Sequence, residues 1–369
     1  MSHFIRAPPF PRHASTLPQH LRDEMTTRRL PLIYDFLTTD ADHKLRRSLQ
    51  SFLAYDASSI PAADQFNASV YAKALTPHLA AAHHLVYFNP AIPADELLPD
   101  GTDPLQSPGE PFVRRMWAGG SLRFRPGGTA VLDGRRWVCH EFVRDVQVKG
   151  MEGAEKVFVG IERRMASLNE LGVEQQVEVD EDVVRAKLWH ASEEEFGSAS
   201  IIERRNIVFM RERGLEELRV LKEAAGKPGK MLLPQHKPDF EHVLTPTPSL
   251  LFRFSALTFN AHAIHLDPSY CRDIEGHRNL LVHGPLTLTL LMELLGNHLR
   301  VDPFQVYPSI DSFEYRNLAP LYANEPLRLC GRSLDHNKYE LWAETPEGGI
   351  ACKGVARTTV EKEEGKAKL

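Results

Sequence analysis

The segment from His283 to Leu299 constrains the fold more than any other. Its sequence, His-Gly-Pro-Leu-Thr-Leu-Thr-Leu-Leu-Met-Glu-Leu-Leu-Gly-Asn-His-Leu, is apolar on nearly every face of a helix. Such a helix has to be covered on most sides. Pro285 suits a first helical turn, where its missing N–H would have no partner anyway, and Gly296-Asn297 is a later weakening or stop signal. Short runs of β-formers elsewhere in the chain supply the cover. Before it lie Ser121 to Phe124 and Thr129 to Leu132 flanking a Pro-Gly-Gly turn, then Arg136 to Val143, Lys156 to Ile161 and Ile201 to Met210. Later come Leu251 to Phe259, Ser312 to Tyr315, Leu327 to Leu334, Tyr339 to Glu344 and Gly349 to Val360. The acidic stretch Asp180 to Glu195 reads as a solvated helix or loop. The economical arrangement is a helix enclosed by a curved antiparallel sheet.

A chain of 369 residues is long enough for two domains. The clearest break is Gly226-Lys-Pro-Gly-Lys230, followed by Pro234 and Pro238. It predicts an N-terminal domain over 31–225, a linker over 226–239, a C-terminal domain over 240–361 and a polar tail over 362–369. With 42% hydrophobic and 25% charged residues, a largely disordered chain is excluded. A net charge of -5 provides no basic field for nucleic acid, and no apolar run approaches the length of a membrane span. Cys139, Cys271, Cys330 and Cys352 form no CxxC pair, so no structural metal site or disulfide framework is expected. Phosphate-loop, dinucleotide and nucleophile-elbow signatures are missing, and no cofactor is expected.

The two ends carry conflicting addresses. Residues 1–30 read as a targeting segment or a flexible tail: Met1 to Arg22 has no acidic residue but contains Arg6, Arg12 and Arg22, as in a mitochondrial presequence, while Pro8, Pro9, Pro11 and Pro18 oppose a helix there. The last three residues, Ala367, Lys368 and Leu369, are a conservative variant of the peroxisomal Ser-Lys-Leu signal.

Polar side chains are densest in an apolar setting between Phe254 and Asp267, shortly before the helix head. Ile264-His265 and His283-Gly284 resemble the ending of the hydratase motif and the His-Gly helix head of MaoC-like (R)-specific enoyl hydratases. Counting back from His265, Asn260 stands where that motif has Asp, His262 where it has Asn, and Ala263 where it has Pro. Arg253 to Asn260, with Val282 to Leu286, is similar to fungal mitochondrial type 2 3-hydroxyacyl-thioester dehydratases and to bacterial mesaconyl-C4-CoA hydratases. His83 to Phe88, Leu97 to Thr102 and Arg114 to Gly120 resemble the same proteins, so the likeness runs from about residue 80 to 360.

The resemblance implies an α+β double hot-dog fold, two antiparallel sheets each wrapped around a helix, with an N-terminal half shaping the acyl pocket and a catalytic C-terminal half. It implies reversible dehydration of (3R)-hydroxyacyl thioesters, carried on acyl carrier protein or CoA, to trans-2-enoyl thioesters. Such a reaction needs a base for the α-proton, an acid for the hydroxyl and donors for the enolate-like oxygen. His265 is the expected base and acid, Asn260 the holder of the hydroxyl or water, and the Gly284 N–H, at a helix start, the oxyanion donor. His283, Leu286, Trp117, Gly119, Gly120 and Arg253 are expected around the substrate, with His283 structural rather than reactive.

Alternatives remain at this point. His265 could be a core histidine bonded to a carbonyl, and the lost motif Asp could be replaced by Glu275 or Asp267. If residues 262–265 form a strand, His262 and His265 face opposite ways, which argues against a shared metal. Other functions open are a C4-dicarboxylic acyl-CoA hydratase with Arg253 or Arg278 meeting the distal carboxylate, a hot-dog thioesterase, and a non-catalytic module binding acyl carrier protein. A fused double hot-dog could act as a monomer or a homodimer.

Overall fold

The computed structural model describes residues 18–53, 78–127, 130–173, 179–224, 231–299 and 309–359. Residues 1–17 of the expected targeting segment or tail over 1–30 lie outside them, as do residues 226–230 of the expected linker and the polar tail that ends in Ala367, Lys368 and Leu369. Helix α1 (Pro18–Thr27), strand β1 (Ile33–Phe36) and helix α2 (Thr39–Leu49) come first. Strands β2 (Arg114–Phe124), β3 (Arg136–Lys149) and β4 (Lys156–Ser167) follow. Helix α3 (Glu181–Leu188), strand β5 (Ile201–Met210) and helix α4 (Leu215–Ala224) complete this part. After it come β6 (Phe240–Leu244), α5 (Pro248–Leu257), α6 (Pro268–Asp273), α7 (Gly284–Leu299), β7 (Ser309–Asn317), β8 (Leu327–Asp335), β9 (Lys338–Glu344) and β10 (Ile350–Thr359).

All ten strands belong to one antiparallel sheet in the order β1-β3-β4-β5-β2-β7-β10-β9-β8-β6. The strands before residue 211 fill one side of this order and those after 239 the other. The two sides meet where β2 pairs with β7, from Gly119 opposite Arg316 to Arg123 opposite Ser312. Gly119, at φ +143°, and Gly120 are required here. A Cβ at Gly119 would lie 2.4 Å from the Tyr315 carbonyl oxygen, and one at Gly120 would lie 1.9 Å from that of Arg204.

The apolar segment is α7, as its composition demands, and it is buried from Leu286 through Leu295. Its two threonines are satisfied by returning hydrogen bonds to the helix backbone, Thr287 Oγ1 to the His283 carbonyl and Thr289 Oγ1 to that of Pro285. One apolar cluster contains α7 leucines together with Leu37, Phe88, Trp137, Phe313 and Leu341, so it draws on strands from both sides of the sheet. Most sequence-expected strands occur and extend beyond their predicted ends.

Two do not. Leu251 to Phe259 is largely the helix α5. Thr247 caps it through Oγ1 to the Leu250 N–H, Pro248 occupies its first turn, and Leu250, Leu251 and Phe254 are buried at helical spacing. Of the expected Thr129–Leu132 strand, the described residues 130–132 contribute a bridge from Val131 to His78 and do not pair with β2.

Candidate active site

Where the two sides of the sheet meet, a cavity of about 850 Å³ opens against the head of α7. Asn260, His262, His265 and Gly284 line it from one side of the seam and Trp117 from the other. The short chain from α5 to α6 carries the polar groups. A single 3-10 turn, Ala263–His265, brings His262 and His265 to the same place, with ring centroids 5.6 Å apart. The strand alternation expected to separate them is therefore absent, because a 3-10 turn puts residues three apart on one face.

His265 Nδ1 is 2.8 Å from the carbonyl oxygen of Leu281. A carbonyl only accepts, so Nδ1 carries the hydrogen and Nε2 the lone pair. Burial pulls the His265 pKa down to about 4, against the opposing pull of the Leu281 bond, and the ring is neutral near pH 7. The expected carbonyl bond of this histidine is thus made by Nδ1, and it leaves Nε2 with its lone pair. His283 stacks on it at 3.6 Å between centroids and shares a 2.8 Å hydrogen bond with Ser255 Oγ. His283 is fully buried behind His265, and burial, with His265 and His262 nearby, holds it well below the usual histidine range.

Asn260 Oδ1 accepts the His262 N–H at 3.0 Å, which closes a tight turn and leaves the Nδ2 donors for other partners. Gly284 begins α7, and no described group accepts its N–H. A Cβ there would come within 2.9 Å of Asn317 Nδ2 and 3.4 Å of Trp117, so glycine lets the seam close over the helix head. Asn317 Nδ2 in turn donates to the Trp117 carbonyl at 2.9 Å, and Trp117 Nε1 donates to the Tyr315 hydroxyl at 2.9 Å.

Several expected residues lie elsewhere. Gly119 and Gly120 face neighbouring strands rather than the cavity, and Leu286 is core. Arg253 is exposed on α5 and Arg278 forms a bidentate pair with Glu325, so neither lines the cavity. Asp267 caps α6 by accepting the N–H groups of Ser269 and Tyr270. Glu275 does line the cavity but is held by Arg114 Nε at 2.8 Å. Both are thereby removed as free replacement acids.

Ser255 and a cationic wall of Arg114, Arg115, Arg205 and Arg213 also line the cavity; the sequence placed Arg114 and Arg115 within the likeness without a substrate role, and it missed Arg205 and Arg213. Of these, Arg115 is held by a bond to the Asp103 carbonyl at 3.1 Å and lies over the Phe209 ring, while its buried Nε has no hydrogen-bond partner. It lies within the Arg114 to Gly120 stretch picked out by resemblance, two residues before the bulge that begins at Trp117. Among the described residues no group of three or more His, Cys, Asp or Glu side chains could hold a metal.

Comparison with known proteins gives a consistent picture. The family model for hydroxyacyl-thioester dehydratase type 2 matches residues 82–323. A mitochondrial hydroxyacyl-thioester dehydratase type 2 of Schizosaccharomyces pombe is 31% identical over 261 residues, covering 68% of this chain and 77% of that protein. Mesaconyl-C(4)-CoA hydratase of Chloroflexus aurantiacus is 30% identical over 278 residues, 74% of this chain and 81% of its own. The solved MaoC-like dehydratase of Phytophthora capsici shares the fold, with a TM-score of 0.54 at 11% identity over 92% of this chain and 99% of that one.

Proposed function

The chain belongs to the hydroxyacyl-thioester dehydratase type 2 family, and from that premise we propose how its residues carry the reaction. It is a hydro-lyase acting on hydroxyacyl thioesters, as the resemblance implied, and the fold is the α+β arrangement of MaoC-like dehydratases. His265 Nε2 takes the α-proton of the 3-hydroxyacyl thioester. The Gly284 N–H, at the positive end of α7, receives the charge that develops on the thioester oxygen. Asn260 Nδ2 donates to the hydroxyl and fixes it over the β-carbon. The observation that carries this reading is the tautomer of His265: the Leu281 carbonyl ties up Nδ1 and leaves a neutral, basic Nε2 in a cavity shared with Asn260 and the helix head.

The N-terminal side supplies the acyl wall through Trp117, and the C-terminal side the chemistry. Both line one cavity, which favours a site made within a single chain, whether that chain is a monomer or part of a homodimer. The S. pombe and Saccharomyces cerevisiae relatives are named mitochondrial, which supports a mitochondrial location; a peroxisomal one through Ala367, Lys368 and Leu369 is the alternative. A second reading, hydration of a C4-dicarboxylic thioester, has Arg115 in its favour as a cation inside the cavity.

Absorbance of the enoyl band separates these readings. Wild type is expected to hydrate trans-2-enoyl-CoA of medium chain length, and His265→Ala to lose about 10²- to 10⁴-fold in turnover while keeping its circular dichroism spectrum. Turnover retained in His265→Ala removes the base assignment. Preference for mesaconyl-CoA over crotonyl-CoA, abolished by Arg115→Met, selects the dicarboxylic reading.

A further inference from the structure

With Asn260 in place of the motif Asp, His265 would have to serve both the α-proton and the leaving hydroxyl, and the structure offers a second proton-transfer group from an unexpected place. The turn over residues 98–102, on the N-terminal side, is hooked onto the segment that carries the histidines. The Asp100 carbonyl accepts the Ala263 N–H at 2.8 Å, and Gly101, at φ +82°, lies so close that a Cβ would meet the Ala261 carbonyl oxygen at 2.2 Å. This docking buries the Asp100 carboxyl to 4% exposure. Its Oδ1 accepts from the Thr102 N–H at 3.0 Å and hydroxyl at 2.5 Å. Its Oδ2 is buried with no hydrogen-bond partner and faces His262 Nε2 at 3.5 Å. The other nitrogen of His262, Nδ1, has no partner among the described residues, and the ring lines the cavity beside His265.

We propose that Asp100 and His262 form an orienting pair that supplies the second proton-transfer group of the dehydratase, with Asp100 as positioning residue and His262 as the acid that touches the leaving hydroxyl. This rests on the reading of His265 as the base. In dehydration His265 Nε2 takes the α-proton. The electron pair of that C–H bond passes into the enolate and then into the new Cα=Cβ bond as the C–O bond breaks. The departing hydroxide takes the proton from Nδ1 of a protonated His262 and leaves as water. The proton gained by His265 returns to His262 through cavity water before the next turnover, so the cycle balances.

The protonated ring is the minority form there, and Asp100 is the group placed to hold its Nε2 proton when it forms. Burial, then His265, then Arg115 disfavour the charged form of His262; His283 behind the stack is neutral, and Asp100 is the carboxylate that faces Nε2. The same carboxylate is 4.0 Å from Arg115 Nε.

The test uses the full-length protein with His262→Gln and Asp100→Asn, reading two rates on (3R)-hydroxyacyl-CoA: dehydration, and exchange of the α-proton for deuterium in D₂O. Exchange needs only the base, whereas dehydration needs both groups. The expected result is a fall in kcat for dehydration of about 10²-fold or more in His262→Gln and about tenfold or more in Asp100→Asn, with KM within about twofold and exchange retained. Retained exchange also shows that the site is folded. Asparagine at 100 keeps an acceptor for Thr102, which guards against local collapse. Wild-type dehydration rates in both variants overturn the proposal, and so does a parallel loss of exchange and dehydration, since the pair would then serve the base step or the fold. No turnover by wild type on any enoyl-CoA instead sinks the dehydratase reading on which it rests.

Discussion

Removing His83 should be strongly destabilising, and the reason is a buried charge cluster. His83 is fully buried and bridges two carboxylates: Nδ1 contacts Asp42 of α2, and Nε2 contacts Glu293 of α7 at 2.5 Å. Arg46 Nε adds a 2.8 Å bond to Asp42. Burial alone would lower the His83 pKa, but Asp42, assisted by Glu293, raises it; the Asp42 carboxyl, which burial would raise, is instead held well below its usual range by His83 and Arg46. In His83→Leu two hydrogen bonds to charged groups disappear, at about 1.5–3 kcal/mol each. Burying the leucine returns about 2 kcal/mol, while the carboxylates lose the imidazolium between them. The bonds less the leucine leave about 1–4 kcal/mol, and the two buried carboxylates without their imidazolium bring the loss to about 3–5 kcal/mol, the scale for removing one member of a buried ionic group.

Urea unfolding followed by circular dichroism measures it. Sign and window follow from the two shifts. The raised pKa of His83 makes its contribution full below about 6.5 and lost as pH rises through the folded value. The depressed pKa of Asp42 makes its contribution present above about 3.9 and lost as pH falls through the folded value. The gap between wild type and His83→Leu should thus be wide at pH 6 and narrow at alkaline pH. A leucine variant with the wild-type urea midpoint at pH 6 would refute the reasoning.

Three other outcomes follow from the site. Because burial holds His265 near a pKa of about 4, kcat/KM should not fall as pH drops from about 7.5 to 5.5; an unperturbed histidine base would lose about tenfold over that interval, and such a loss in the pH–rate profile counts against the assignment. Gly284→Ala pushes a methyl group to 2.9 Å from Asn317 Nδ2, so kcat should fall by about 10²-fold through displacement of the helix head, with the melting temperature little changed. A variant with wild-type kcat would show that the head does not bear on the oxyanion. Phe254→Ala removes a side chain that is 1% exposed and packs edge-on against His283, so it should destabilise by about 3–5 kcal/mol in urea titrations; a loss under 1 kcal/mol would mean the α5 face is not core.

Much of the fold was legible because its strands are rich in β-formers and α7 is apolar all round. Strand β5 follows the predicted Ile201 to Met210 without adjustment. Helix α5 was misread because Phe252, Phe254, Thr258 and Phe259 look like strand composition. The better signals were local: Thr247-Pro248 as a cap and first turn, and burial of residues 250, 251 and 254 at helical period. At the site, His265, Asn260 and Gly284 were readable because they lie in one compact stretch and its helix head. Asp100 and Arg115 lie in stretches the likeness covers, but their approach to His262 was not readable, since it depends on the docking of a distant turn. Gly119 and Gly120 were noticed for the right reason, close backbone approach, but the approaching group is a neighbouring strand.

The order of strands in the sheet also governs how the chain tolerates being divided. Its outermost strands are the short β1 and β6, of four and five residues, while the longer β2 and β7 are interior and satisfy each other. Short edges offer little template for pairing with another molecule. A fragment ending at Ala224 would turn residues 119–123 of β2 into an open edge able to pair with a foreign strand, and its natural fate is self-association. Two fragments supplied together would instead find their match across that edge, so the seam that shapes the active site is also the joint along which a split enzyme would reassemble.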